Sequence, residues 1–423
     1  MVVKGIAIWL QLFKQIFLNI FRLEFIFYFS FAVGIVALLY RKMDVTKQQL
    51  YDLKEKRTGG FWPDVLKATV LGFGGGLIGS LLMVLAGVSL NSIGISYLWL
   101  LAVILFLINP RYLCFSYAGG IISISYLLFG FPRIEVPQLM GLVAILHLVE
   151  SLLILWSGHL GALPVYAYQS QGNVVGGFNL QRFWPIPLVI MMVVPYTATE
   201  MLPTGLISMP DWWPLIRSPL ADHPNSIYAM LPVVAALGYG DLAVTDTPAG
   251  KSRWSAIRLA IYSVLLLILA VIASYLPWVA WLAALFGPLG HELLILMGQQ
   301  KELRGKPLYQ AVARGIMVLD VYPGSIAAKI GLKSGDIVLN VNDYEVNNRI
   351  ELSHARSINN YYVTMDYLRN EKSERAEGRV APGEGLGVVW VPQAGDRAQV
   401  SFSGPGIGLR WIKKLIGKLN ALR

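Results

Sequence analysis

Apolar runs of about 20 residues recur through the first 300 positions of the chain, and in a chain of this length each such run reads as a helix crossing a bilayer. Measured by that length, candidate spans lie near 25–40, 66–90, 95–110, 112–130, 139–157, 185–207, 227–244, 257–276 and 278–297. Residues 6–21 are amphipathic instead. Trp9, Phe13, Ile16, Phe17 and Ile20 recur at helical spacing while Lys14 and Arg22 interrupt, so this stretch is expected to lie in the interface or to enter it halfway. The expected architecture is an α-helical polytopic membrane domain over 1–300, with about 8–10 membrane segments, and a C-terminal α+β domain that resembles a known peptide-binding module, described below. Hydrophobic residues make up 55% of the chain and charged residues only 14%, which excludes an ordinary soluble protein. The run 25–40 lacks a small-residue cleavage site and ends at Arg41-Lys42, so it is expected to be retained rather than cleaved as a signal peptide.

Charge sets the expected orientation. Arg41, Lys42, Lys47, Lys54, Lys56, Arg57 and Lys67 cluster in the loop 41–67, which the positive-inside rule places in the cytoplasm. Alternating from there puts Lys251, Arg253, Lys301, Arg304 and Lys306 inside and Asp211 and Asp222 outside. The net charge of +10 belongs to these loops, and nothing resembles a nucleic-acid module. The single cysteine, Cys114, offers neither a disulfide framework nor a cysteine-based zinc site. Gly72 with Gly76, and Gly75 with Gly79, are small residues four apart that would let a neighbouring helix approach closely. Prolines at 185, 187, 195, 203, 210, 214, 219, 224 and 232 make continuous helices unfavourable there, so interrupted spans or extracellular loops are expected.

After a linker at 301–306 the pattern changes to alternating strands, glycines and charges. A strand at 316–321 is followed by Pro323-Gly324-Ser325, a short helix with Ala327, Ala328 and Ile330, then Gly331, and Asp336 opens a second strand at 337–341. This string of some 28 positions, from Gly315 to Asn342, resembles the bacterial PDZ domain, with 307–392 as its extent. The resemblance implies a peptide-binding module that works by strand addition at an open sheet edge. The expected groove has Leu308, Tyr309, Gln310 and Ala311 on its edge strand and Leu352, Ala355, Arg356 and Ile358 on the facing helix. The alternative is that the domain packs on its own membrane portion and recruits nothing. In the tail 393–423, Trp411 and its apolar neighbours share a helical face while Lys413, Lys414 and Lys418 lie off it, a pattern suited either to an anionic membrane surface or to docking on the soluble domain.

Three features invite other functions. His291-Glu292 begins the two-histidine helical motif of a membrane metalloprotease, but the position of the second histidine holds Ile295, so no metal and no catalytic residue are expected. His147 and Glu150 share a helical face and could pair, satisfy the backbone or bind a metal. Glu200 and Asp241, in proline- and glycine-rich spans, are where a transporter would hold ions. Metalloprotease, degenerate or active, and transporter with a regulatory PDZ domain thus stand beside a scaffold.

The layout as a whole, many spans closing in residues 287–302, a linker and one PDZ-like domain, resembles the membrane PDZ proteins that determine division-site topology in Gram-positive rods. That resemblance implies a membrane-anchored adaptor without enzymatic activity, bridging a DivIVA-like polar coiled-coil protein and inhibitor machinery led by a MinD-type ATPase. It also implies contact with late divisome membrane proteins, location at septum and poles, and no cofactor, nucleic acid or small-molecule substrate.

Overall fold

The computed structural model describes residues 2–51, 60–169, 172–195, 207–219, 226–359, 361–380 and 385–400, apart from the side chains of 2–7 and 92. Its helical part contains α1 (Val2–Ile20), α2 (Leu23–Leu50), α3 (Trp62–Ala86), α4 (Ile95–Ile108), α5 (Phe115–Phe129), α6 (Val136–Ser157), α7 (Pro248–Ala273) and α8 (Val279–Arg304). Helices α2, α3, α6, α7 and α8 are long and apolar enough to cross a membrane, and the chain is a multi-pass membrane protein. Helices α4 and α5 have 14 and 15 residues. At ~1.5 Å per residue they fall short of a hydrocarbon layer of ~30 Å. Helix α6 is apolar all round and lies at the centre, 72% of its span buried, whereas α3, α4 and α7 turn Leu66, Val70, Leu100, Ile104, Ile261 and Ile268 outward, as lipid contact requires. Local signals set the ends: Thr247 caps α7 by accepting the Gly250 N–H, and Gly87, at φ +81°, closes α3. Helix α8 continues through Arg304 and takes up most of the expected linker.

The described residues of the expected spans near 185–207 and 227–244 are not helical. Residues 174–195 and 226–243 form two long antiparallel strands, β2 (Val174–Pro195) and β3 (Ser226–Ala243), joined at the edge of β2 by β1 (Leu163–Tyr168). The β2–β3 register runs from Phe178 opposite Ala243 to Pro195 opposite Ser226. Prolines, incompatible with a helix interior, are accommodated here by strand geometry. Beta carbons built on Gly72 and Gly76 would lie 2.2 and 2.1 Å from the carbonyl oxygens of Pro185 and Pro187, so those carbonyls face α3. A strand residue points its N–H and C=O to the same side, so the missing proline N–H groups also fall on the α3 side and the ladder to β3 loses nothing. Side chains serve two β2 N–H groups on that side, Val189 N–H donating to Ser80 Oγ at 2.9 Å and Val193 N–H to Asn91 Oδ1 at 2.9 Å, while Met191 between them bridges to the Ser89 backbone. The small-residue stripe of α3 therefore receives a strand at Gly72 and Gly76, and α6 at Gly75, where Val149 and Leu153 sit.

The C-terminal part is an α+β PDZ-like domain of β4 (Ile316–Val321), α9 (Ile326–Lys329), β5 (Ile337–Val341), β6 (Tyr344–Glu345), α10 (Arg349–Ser357), β7 (Tyr362–Arg369), β8 (Lys372–Arg379) and β9 (Val388–Trp390). Its sheet order is β8-β7-β5-β4-β9, with β6 hairpinned onto β5. The core includes Val318, Ile326, Leu332, Val338, Leu352, Val363 and Met365. Ser325 caps α9, and Arg369 clasps Asp336 through two nitrogens at 2.9 and 2.7 Å, tying β7 to the start of β5.

This domain is seated on the membrane part. The Tyr51 hydroxyl, just past α2, donates to Asp320, and the Tyr51 and Tyr322 rings are 5.2 Å apart. Gly176 N–H donates to Tyr309 O at 2.8 Å, and Leu308 N–H to Val244 O at 2.9 Å. Leu319, Val389 and Val391 join the apolar cluster of the membrane part.

Candidate functional site

Among the described residues, strand β9 pairs with β4 along one edge only, and α10 lies across from its other edge. Between them runs a cleft of ≈ 200 Å³, walled by Leu352, Ser353 and Arg356 on α10 and by residues 385–388 and Trp390 on the strand side. Leu50 and Tyr51 from the end of α2 complete its lining. The sharp entry to β9 needs glycine: Gly387 sits at φ +71°, and a β-carbon there would lie 2.3 Å from Ser325 Cβ. Tyr322 N–H to Gly387 O (2.8 Å) and Ala327 N–H to Leu386 O (3.1 Å) fix this loop against α9.

A single residue of the membrane part holds both walls. The Tyr166 hydroxyl donates to Trp390 O at 2.9 Å and accepts from Arg349 at the start of α10. Arg349 also pairs with Asp396 at 3.0 Å. The spacing between β9 and α10 is thus tied to β1.

The expected edge residues lie elsewhere. Leu308, Tyr309, Gln310 and Ala311 form no strand and do not border α10; Tyr309 is buried against Phe178, its ring 5.6 Å away, in the seam with the membrane part. The sequence signal for the strand that borders this cleft is Gly385-Leu386-Gly387 before Val388-Val389-Trp390, a strand three residues long. On α10, Leu352 and Arg356 line the cleft, Ala355 points into the domain core and Ile358 is exposed past the helix end. Ser353 lines the cleft as well and was not among the expected residues. Trp411, Lys413, Lys414 and Lys418 lie outside the described residues, as does Glu200.

Among the described residues, two clusters of polar groups in the membrane part bear on function. Lys251, fully buried at the start of α7, lies 3.3 Å from both Glu302 and Asp241, as ion pairs without hydrogen-bond angles. Glu302 accepts the N–H groups of Val244 and Thr245 at 2.8 Å each. This network joins β3, α7 and α8, so Asp241 serves an ion pair. In the second cluster, Cys114, His147 and His291 from three different segments come together, with their ligand atoms within 4.8 Å of one another. Glu292 beside them is engaged by Arg111 and by the Tyr117 hydroxyl, the latter at 2.6 Å. Sequence spacing places no second histidine near His291, but the fold brings His147 there from α6.

No protein-family model matches the chain. It is similar to the cell division topological determinant MinJ of Bacillus subtilis (strain 168), 25% identical over 260 residues that cover 60% of this chain and 62% of that relative. The chain therefore spans less than two thirds of the length of the curated relative it matches. Among solved structures it is similar to the PDZ domain of the SdrC-like protein from Listeria monocytogenes, at 18% identity over 19% of this chain and 92% of that one, with a TM-score of 0.17. The PDZ-like character rests on the strand order and the placement of α10, not on that likeness.

A free strand edge facing a helix wall of Leu352, Ser353 and Arg356 can accept an extended segment by main-chain hydrogen bonds, and the side chains of the cleft can select among sequences. With Glu292 held by Arg111 and Tyr117, the glutamate of the incomplete protease motif is already partnered and is not a free base.

Proposed function

We propose that this chain is a membrane-anchored adaptor in division-site selection, which recruits a partner by adding its extended segment to β9. The cleft between β9 and α10, carried on a multi-pass membrane part, supports this reading most strongly. Similarity to a division topology determinant supplies the process. Basic residues at the PDZ-proximal ends of the helices, among them Arg41, Lys42 and Lys47 on α2 and Lys301 and Arg304 on α8, favour a cytoplasmic position for the cleft. The partners in this reading are a DivIVA-like polar protein, MinD-type inhibitor machinery and late divisome membrane proteins, and the tail 393–423 adds a grip on the inner leaflet. The groove consists of Leu352, Ser353, Arg356 and the 385–390 edge. A fluorescent fusion of the full chain in dividing cells tests it: signal at septa and poles is expected, and uniform membrane signal through division contradicts the reading.

A further inference from the structure

The trio Cys114, His147 and His291 carries an inference independent of the adaptor reading. Cys114 caps α5, with its sulfur accepting the Ser116 N–H; His147 projects from the middle of α6 and is 4% exposed; His291 projects from α8. The sulfur lies 2.9 Å from His147 Nε2 and 3.7 Å from His291 Nε2. In a tetrahedral zinc site, bonds of about 2.3 Å to sulfur and about 2.0 Å to nitrogen place the two ligand atoms about 3.5 Å apart. The observed separations bracket that value.

The second observation concerns the far side of each ring. His147 Nδ1 is 2.7 Å from Val143 O, so the ring proton sits on Nδ1 and the Nε2 lone pair is left for the cluster. That is how metal-bound imidazoles are oriented. A thiol has one proton to donate, so it serves one imidazole lone pair; the other ring reaches it only by turning an Nε2–H toward a sulfur that already accepts the Ser116 N–H, which leaves a bare Nδ1. His291 Nδ1 is buried without a hydrogen-bond partner among the described residues, so no second bond fixes that ring either. A cation satisfies sulfur and both nitrogens together. Surrounding aromatic rings wall the site: Tyr262 stands edge-on to both histidines at 5.7 and 5.9 Å, and Tyr117 to His291 at 5.3 Å.

We propose that Cys114 Sγ, His147 Nε2 and His291 Nε2 bind one zinc ion, releasing the thiol proton and cross-linking α5, α6 and α8 inside the membrane part. Because Glu292 is paired with Arg111 and Tyr117, the ion organises helices and does not activate water through that carboxylate.

Because Cys114 is the only cysteine, its alkylation reports on this site alone. The test uses the full chain purified in detergent. About one zinc per chain is expected by elemental analysis, with maleimide labelling of Cys114 slowed at least about tenfold relative to chelator-treated protein and slowed again on adding zinc chloride. His291→Gln is expected to lose the zinc and label fast while keeping its elution volume. Zinc-free wild-type chain whose labelling rate is unchanged by zinc chloride overturns the proposal, and this comparison stands even if a variant fails to fold.

Discussion

Lys251 and Tyr166 show how much rests on single side chains. Lys251 neutralises Glu302, which is buried and already accepts two backbone N–H groups. Lys251→Ala strands that carboxylate, and is expected to cost about 3–5 kcal/mol in thermal unfolding in detergent. Adding Glu302→Gln to it is expected to recover most of the loss, because a neutral amide no longer needs a counter-charge. Tyr166→Phe removes the hydroxyl shared by Trp390 O and Arg349. A loss of about 1–2 kcal/mol is expected, together with faster hydrogen exchange in β9 and α10 but not in β7 and β8. The charges of these groups were visible in the sequence, but their partners were not: Asp241 stood as a possible transport ligand until the fold set Lys251 beside it. His147 and His291 are 144 positions apart, a distance at which no spacing rule connects two ligands.

At the level of elements, the seam between α3 and β2 is set by backbone contact. Gly76→Ala would place a β-carbon 2.1 Å from Pro187 O, and is expected to destabilise by about 1–3 kcal/mol as β2 is pushed off the helix. Gly74, with nothing within 4 Å, is the control: Gly74→Ala is expected to be neutral or to stabilise by about 0.5–1 kcal/mol through helix propensity. Thermal unfolding of the two variants side by side checks both. The long helices were legible because a 20-residue apolar run has few alternatives, as α2, α3, α6, α7 and α8 show. Strands β2 and β3 were not: when buried, Ile186 to Val193 is as uniformly apolar as a span, and period alone does not separate the two. The prolines hold the clue, because residues that interrupt a helix can sit in a strand whose N–H side needs no ladder partner. In the PDZ-like domain the motif-bearing strands β4 and β5 were legible, whereas β9 is too short to announce itself.

Asp320 on β4 belongs to the joint between the two parts. Burial holds its carboxyl above the usual carboxylate range, against the lowering effect of the Tyr51 hydroxyl bond. A carboxyl raised on folding favours the folded state most below its unfolded value, near pH ~3.9, and that contribution disappears as pH rises through the folded value. The wild type is therefore expected to gain stability, relative to Asp320→Asn, as pH is lowered through this window. Melting curves of both proteins across it check the sign.

In the whole molecule the PDZ-like domain and its cleft are fixed to the membrane part at several points, through Tyr51, Tyr166, Gly176 and Val244. The domain packs on its own membrane portion through Leu308 and Tyr309, and a cleft lies along β9 beside that seam. On the proposed adaptor reading, a segment added to β9 sits at a set height and angle to the membrane part. The most direct measurement is co-purification of the DivIVA-like and MinD-type proteins with the full chain, wild type against Ser353→Trp. Ser353 is exposed on α10 and lines the cleft, so an indole there blocks an incoming strand without entering the core. Loss of at least one of these partners from the variant, with the fold intact by thermal unfolding, is the expected result. Undiminished capture of both by Ser353→Trp would contradict the account.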